Sequence, residues 1–330
     1  MTKGYQTVNR FFDRAMRISS GILLSVSLLA SQALAADTYK IIYPFAAGGA
    51  ADLLARMMAQ NMAASMGATF IVENVGGANG NIGASRVAKA APDGKTLLVT
   101  SETYTTINPL LFASEMNFKP DELDPLMLMV VQPMVLAVRP ESGIKTFEEF
   151  LRRARTEGMT YSSAGVGANA HITMAYFAAE VPGVKLRHVP FAGGPQAINA
   201  ILGGHVDTGF LVAGNVLPQV RGGKLVALAV SGEQRLPQFP NVRTVAEMGY
   251  PQFVAENGVL LLAPARTPED VKQRLTTEAR KAIDTPEVHK FVADNGYVLR
   301  AASRAETKQW LAQSKDKWVD LVTNRNILKE

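Results

Sequence analysis

The stretch YPFAAGGAADLLARMM, Tyr43 to Met58, carries an apolar run into Gly48-Gly49 and straight on into a helical pattern. Ahead of the glycines, YKIIYPF reads as a strand. Behind them, LLARMMAQNMAASM places Leu54, Met57, Met58, Met62 and Met66 close to i, i+3, i+4 spacing, the stripe of an amphipathic helix. A strand–glycine–helix corner has its own chemistry. The first N–H groups of a helix have no partner within it. The aligned peptide dipoles add about half a positive charge there, and glycine lets the backbone approach a ligand closely. Such a corner suits a carboxylate or phosphate. The plain alternative is that these glycines only make a tight turn.

The plan recurs. MTYSSAGVGANAHITMAYF, about 120 residues further on, is again strand, glycine-rich turn and helix. Between and after these lie candidate strands TFIVEN, TLLVTS, MVLAV, KLRHVPF, VDTGFLV, LVALAV and GVLLLAP, with helical patterns among them. AINAILGG ends on glycines, and TPEDVKQRLTTEARKAI opens with Thr267-Pro268 and acids, the marks of a helix stop and a helix start. Strands alternating with helices predict an α/β fold with largely parallel sheets. Two similar lobes follow, with LMLMVVQPMVLAV taking the chain across, Ser231 to Gly258 bringing it back, and the C-terminal helices completing the first lobe. Ligands of open α/β sheets lie at the carboxyl ends of the strands. Two such corners facing one cleft would hold a ligand with two anionic ends.

Composition narrows the chemistry. The chain has 330 residues, 47% of them hydrophobic and 19% charged, enough for two domains. It has no cysteine, which excludes disulfides, thiol nucleophiles, cysteine-ligated zinc and iron–sulfur clusters. Arg10, Arg14 and Arg17 precede the uncharged run Ile18 to Ala30, and Ala33 to Ala35 form an A-x-A site. This predicts a cleaved secretory signal over residues 1–35. The apolar run is too short to span a bilayer, which takes about 20 residues. Removing the segment takes the formal charge from +5 to +2. No clustered basic face or nucleic-acid motif is present.

Other motifs fail on their details. GGAADLLA lacks the P-loop lysine. GGANGNIG, Gly76 to Gly83, mimics a dinucleotide fingerprint but is Asn-rich, and no acid follows at the ribose position. His171, His188, His205 and His289 have no zinc spacing, and no G-x-S-x-G elbow occurs. Asp52 falls in the first turn of its helix, where it favours the dipole by about 0.3–1 kcal/mol. As a pocket group it would repel a carboxylate unless loop N–H groups or a ligand ammonium met it. His171 reads as structural.

YPFAAGGAADLLAR, VENVGGANGNIGASRVAKAAPDGKTLL, INPLLF, YSSAGVGANAHI, HVPFAGG and LVALAVSGEQRLPQFPNVRTVAEMG, in this order, resemble the tripartite tricarboxylate transporter substrate-binding proteins, the periplasmic Bug (TctC-like) receptors. The resemblance runs from about Tyr39 to the C-terminus. It implies a two-lobe type II periplasmic-binding-protein fold, with a carboxylate held in the cleft between lobes. It further implies lobe 1 over 36–132, lobe 2 over 133–250 and the rest of lobe 1 over 251–330. Carried onto these positions, the first-lobe site is Phe45, Ala47, Gly48, Gly49 and Asp52, beside Asn81, Gly83, Thr100 and Ser101. The second-lobe site is Ser162, Ser163, Ala164, Gly165 and Gly167, with Phe191, Ala192 and Gly193 close by and Asp207 reaching or supporting the cleft.

The chain departs from the family pattern in places. Ala46 and Ala47 stand where prolines are common, Ala168 and Gly194 where serine is, and Ala192 where lysine is. A pocket poorer in cations and hydroxyls points to a larger or aromatic acid, with Tyr104 and Phe45 offering ring contacts unless they simply pack. The implied role is a non-enzymatic, monomeric periplasmic receptor without cofactor or metal. It would bind a small-molecule di- or tricarboxylate or aromatic acid and no nucleic acid. It would hand the acid to a two-component membrane transporter with a large and a small integral subunit. The rivals are a periplasmic sensor, which the sequence does not separate from transport, and a secreted hydrolase, for which no nucleophile–base pair is found.

Overall fold

The computed structural model describes residues 37–325 and residue 327. The expected signal segment lies outside them. Strand β1 (Thr38–Tyr43) runs parallel to β2 (Thr69–Asn74) on one side and β3 (Thr96–Ser101) on the other. Helix α1 (Ala50–Met66) joins β1 to β2 and buries Leu54, Met58 and Met62 of the expected stripe, together with Ala55 and Ala59, while Met57 and Met66 are partly buried. Gly67, at φ 62°, ends it with an N–H donated to Ala63 O. Helix α2 (Asn81–Ala88) leads into β3, and one-turn helices α3 (Thr103–Thr106) and α4 (Asn108–Leu111) follow.

Strand β4 (Leu123–Val138) is buried along its full length. Its unbroken apolar run is what a strand covered on both faces requires. The candidate strand MVLAV is only the tail of it. The register shifts between Pro125 and Met127 and again between Leu128 and Val130, irregularities that bend a strand where proline offers no donor.

Helix α5 (Phe147–Thr156), β5 (Met159–Ser163), α6 (Asn169–Glu180), β6 (Leu186–Pro190), α7 (Gly194–Leu202), β7 (Thr208–Val212), α8 (Ala213–Arg221) and β8 (Val226–Val230) follow, in the stretch expected as the second lobe. The chain then returns through β9 (Glu256–Pro264), α9 (Glu269–Ile283), α10 (Pro286–Asp294), the short β10 (Val298–Leu299) and α11 (Arg304–Val319). The strand order is β2-β1-β3-β9-β4-β7-β5-β6, with β8 and β10 also on β4.

The sheet is mixed rather than largely parallel. β1 with its neighbours, and β5 with β6 and β7, are parallel, but every partner of β4 is antiparallel to it. The reason is topological. β4 carries the chain out of one lobe and β9 carries it back, so the two must run in opposite directions.

Alternation along β1 sends Ile41 to a core with Met58, Leu97 and Leu261, and Ile42 to one with Leu98, Leu260 and Leu311. The second lobe is aromatic inside. Phe177 has Phe147, Phe150, Phe210 and Phe253 around it at ring distances of 6.0, 6.0, 5.7 and 5.6 Å.

The last helix reaches two cores, with Leu311 in one and Trp318 in another. At its start Thr307 Oγ1 accepts the Leu128 N–H at 2.8 Å. At its end Trp318, with Leu321 just beyond, packs into the second-lobe core.

Candidate functional site

At the carboxyl end of β1 the backbone leaves the sheet, and Ala46, Ala47, Gly48 and Gly49 are exposed. Gly48 takes φ +89°, a conformation that suits glycine. Asp52 lies beneath this loop, 1% exposed. Its carboxylate accepts from Gly48 N at 2.9 Å, Arg56 Nε at 3.0 Å, Arg56 Nη2 at 3.2 Å and Asn74 Nδ2 at 2.8 Å. Asn74 Nδ2 also donates to Phe45 O at 3.2 Å. Burial works against ionisation, but the bonds from Gly48, Arg56 and Asn74 hold the carboxyl below its ordinary range. Its acceptor capacity is taken up inside the protein. Asp52 shapes the loop through these bonds.

Beside the loop sits an amide cluster. Asn108 Nδ2 donates to Asn81 Oδ1 at 2.7 Å and to Asn79 O at 3.1 Å, and Asn79 Nδ2 donates to Asn108 Oδ1 at 2.8 Å. Asn81 is buried, and its Nδ2 has no partner among the described residues. Gly83 is a packing position. A Cβ there would stand 2.7 Å from Pro44 Cβ and 2.8 Å from Val75 O, so α2 can approach the β1 loop only through a glycine. Thr100 is buried and paired with Leu260. Ser101 Oγ engages Thr103 Oγ1 at 2.7 Å and accepts the Thr103 N–H at 3.2 Å. Tyr104 is buried in the core with Ile42, Leu98 and Leu260. Phe45 is half-buried, its ring meeting Tyr43 edge-on at 5.6 Å.

In the second lobe Ser162 and Ser163 part company, because successive side chains of a strand point to opposite faces. Ser162 Oγ is buried with no partner among the described residues, 3.1 Å from where a Cβ of Gly209 would stand. Ser163 Oγ donates to Gly165 O at 2.8 Å, accepts the Gly165 N–H at 3.1 Å and lies 2.7 Å from His188 Nε2. Gly167 N donates to His171 Nδ1 at 3.0 Å. The N–H groups of Gly165 and Gly167 are thus spent within the loop they shape. Phe191 N donates to Ser163 O at 3.0 Å, tying the next loop to this one. Ala164, Val166 and Ala192 are exposed, and Gly193 precedes α7.

Asp207 is at the wrong end. Its carboxylate accepts from Thr160 N and Thr160 Oγ1, both at 2.8 Å, at the start of β5 and just ahead of β7. From Thr160 to Ser163 is three strand steps, about 10 Å. Asp207 serves the far edge of the sheet and does not reach the cleft.

The lobes meet around these loops. The Cβ direction of Gly167 points at Leu111, the last residue of α4, and at Phe112 just after it, with 3.4 and 3.3 Å to the nearest atoms. A cavity of about 10 Å³, room for one water, lies among Thr103, Gln132, Asn169, Thr173, Glu256 and Asn257. Glu102 also borders it. Burial pushes its carboxyl up to about 7, opposed by Lys317 and by the Gly258 N–H that it accepts at 3.1 Å. Burial in turn pulls Lys317 below the ordinary lysine range.

The helices differ at their starts. α5, α10 and α11 open on Thr146, Thr285 and Ser303, whose side chains accept first-turn N–H groups. α2, α8 and α9 have no side-chain cap, nor do α1, α6 and α7, which open on Gly49, Ala168 and Gly193. These last three begin at the carboxyl ends of β1, β5 and β6, where their first N–H groups remain available to an anion.

The sequence profile of the tripartite tricarboxylate transporter family receptor matches residues 54–327. The chain belongs to this receptor family. It is 29% identical to protein BugT of Bordetella pertussis, over 92% of this chain and 94% of that one. Among solved structures it is similar to the periplasmic binding protein BugD, with TM-score 0.74, 27% identity and coverage of 89% and 99%. It is also similar to MatC of Rhodopseudomonas palustris with bound malate, with TM-score 0.73, 28% identity and coverage of 89% and 99%. Family members are periplasmic solute receptors that work with membrane transporter components. The two-lobe receptor fold accounts for the mixed sheet and the shared strand β4.

The sequence alone did not reveal Asn79 and Asn108, or the pairing of His171 with His188. INPLLF marked Asn108 as a motif position, but nothing in the spacing of the histidines showed that they meet.

Proposed function

We propose that this receptor closes on a small organic carboxylate and delivers it to a membrane transporter with a large and a small integral subunit. The observation that carries this reading is that α1, α6 and α7 start without a side-chain cap, behind glycine-bearing loops that follow β1, β5 and β6. The helix starts supply backbone N–H groups rather than side-chain cations, which suits an anion such as a carboxylate. The malate bound by the R. palustris relative supports that class.

The contacts fall to Ala47, Gly48 and Gly49 on the first lobe and to the exposed part of Ala164–Ala168 with Gly193 on the second, walled by Phe45 and Phe191. Asn81, Ser163, Gly165 and Gly167 shape the loops. The lobes divide as 36–132 with 251–330 and 133–250, and α11 straps them together. The receptor works in the periplasm as a monomer after removal of residues 1–35. Among the described residues no helix is long and apolar enough to cross a membrane.

The test is thermal unfolding of the chain from Ala36, refolded to strip bound ligand, against dicarboxylates, citrate, acidic amino acids and aromatic acids. A ligand at 100 times its Kd adds about 2.7 kcal/mol. A shift confined to one acid class names the substrate. No shift with any of them, in folded protein, ends the carboxylate reading.

A further inference from the structure

A chain of contacts runs from the first-lobe loop to the second-lobe loops. Phe45 lies 3.2 Å from where a Cβ of Gly80 would stand. Next to Gly80, Asn79 donates to Asn108 Oδ1 at 2.8 Å. Asn108 opens α4, and Leu111 and Phe112 at its end stand against Gly167. In the same loop the Cβ position of Gly165 is 3.7 Å from Phe191 O. Five stretches make this ring, 44–49, 78–83, 107–112, 164–168 and 191–194, and none of them carries a charged residue or a hydroxyl. Its polar side chains are three asparagines. Asn79 and Asn108 bond each other, and Asn108 also takes Asn81 Oδ1. Asn81 Nδ2 is left over, and it is buried. The flanking hydroxyls are engaged as well. Ser101 bonds Thr103, and Ser163 bonds Gly165 and His188. His171, whose ring stacks on His188 at 4.0 Å, accepts the Gly167 N–H.

What the ring exposes is hydrocarbon. Among the described residues the exposed large apolar side chains are Leu53, Ile71, Ile82, Leu111 and Val166. Ile82, Leu111 and Val166 lie within the five stretches, and Leu53 is in the first turn of α1. Val166 is 69% exposed, and Leu111 stands against its neighbour Gly167, so the two flank one contact. We propose that the receptor selects carboxylates with a hydrocarbon body, an alkyl chain or an aromatic ring, over hydroxy and amino acids, and that Val166 and Leu111 determine this specificity. The inference rests on the reading of these loops as the carboxylate site. There the backbone N–H groups at the starts of α1, α6 and α7 serve the carboxylate. A ligand hydroxyl laid on the ring gives up water and meets no hydroxyl or charged side chain in return, which costs affinity. A ligand ammonium gains nothing from Asp52, whose oxygens already accept from Gly48, Arg56 and Asn74. Each methylene buried against the apolar side chains, by contrast, adds roughly fourfold in affinity.

The experiment is calorimetric titration of the chain from Ala36, refolded to strip bound ligand, with acids in matched pairs. Succinate and malate, tricarballylate and citrate, and phenylacetate and mandelate differ by one hydroxyl. Glutarate and glutamate differ by one ammonium. Within a pair the carboxylates and the carbon skeleton are the same, so their contribution cancels. In every pair that binds, the unsubstituted acid should bind about tenfold tighter or better. Val166→Thr, which keeps the shape and adds a hydroxyl, and Leu111→Asn should each narrow the hydroxyl ratio roughly threefold or more. Ile71→Thr, on β2 outside the ring, should leave the ratio unchanged. All three positions are exposed, and thermal melting of each variant checks that it folds. A hydroxy acid that binds as tightly as its partner, or a ratio that neither Val166→Thr nor Leu111→Asn moves, overturns the proposal and leaves the carboxylate reading standing. If folded protein binds no acid of any pair, the carboxylate reading falls and this proposal with it.

Discussion

The Asp52 carboxylate accepts the backbone N–H of Gly48 at 2.9 Å, folding the start of α1 back onto the loop that precedes it. The same carboxylate holds Arg56 and Asn74, and Asn74 holds Phe45 O. One buried acid therefore fixes four points around the first-lobe loop. Asp52→Ala should lower stability by about 2 kcal/mol, the scale of a charged hydrogen bond lost from a buried site. It should also weaken ligand binding by leaving the loop slack. Urea unfolding and ligand titration of the same sample check both. Full affinity in the variant would show that the loop does not depend on this bond.

Gly167 combines φ +76° with contact across the lobes to Phe112 and Leu111. A β-branched side chain fits neither the backbone conformation nor the space. Gly167→Val should cost about 1–2 kcal/mol in backbone strain alone and hold the lobes apart. Small-angle scattering with saturating ligand would then give a larger radius for the variant than for the native receptor. An equal radius would mean that this contact has no part in closure.

Asp207 separates the structural view from the sequence expectation. Its bonds to Thr160 lie at the far end of β5. Asp207→Ala should leave ligand affinity unchanged while reducing stability by about 1–2 kcal/mol. Loss of affinity at unchanged stability would return Asp207 to the cleft.

Glu102 should leave a mark on the pH dependence of folding. Its folded pKa, about 7, lies above the ordinary 4.5. The stability tied to this group is therefore fully present below about pH 4.5 and lost as pH rises through about 7. The loss is on the order of 3 kcal/mol. Glu102→Gln, which still offers an acceptor to Gly258, should remove that part of the decline. Unfolding free energies measured at about pH 5 and pH 8 for both proteins give the answer. Parallel slopes would show that Glu102 is ionised throughout.

Much of this receptor is written locally in its chain. The corner at Tyr43–Met58, the helix stripe Leu54, Met58 and Met62, the glycine stops and the recurrence of the plan in the second lobe depend on neighbours within a turn or two. Glycine's freedom and the 3.6-residue period are properties of a short segment. The family resemblance likewise rests on ordered local motifs.

What the sequence left open was settled by contacts between distant segments. Ser162 and Ser163 are adjacent and chemically identical, yet the pleat of β5 sets one beside Gly209 and the other onto the loop. Asp207 and Ser163 belong to neighbouring parallel strands but to opposite ends of them, a matter of register. Asp52 stands in the sequence only as a first-turn acid, and the fold brings Asn74 to it beside Gly48 and Arg56. The histidine pair, the antiparallel frame of β4 and the passage of α11 between cores have the same origin. A side chain's chemistry is carried by its residue type, whereas its partners depend on which surfaces the folded chain brings within about 4 Å.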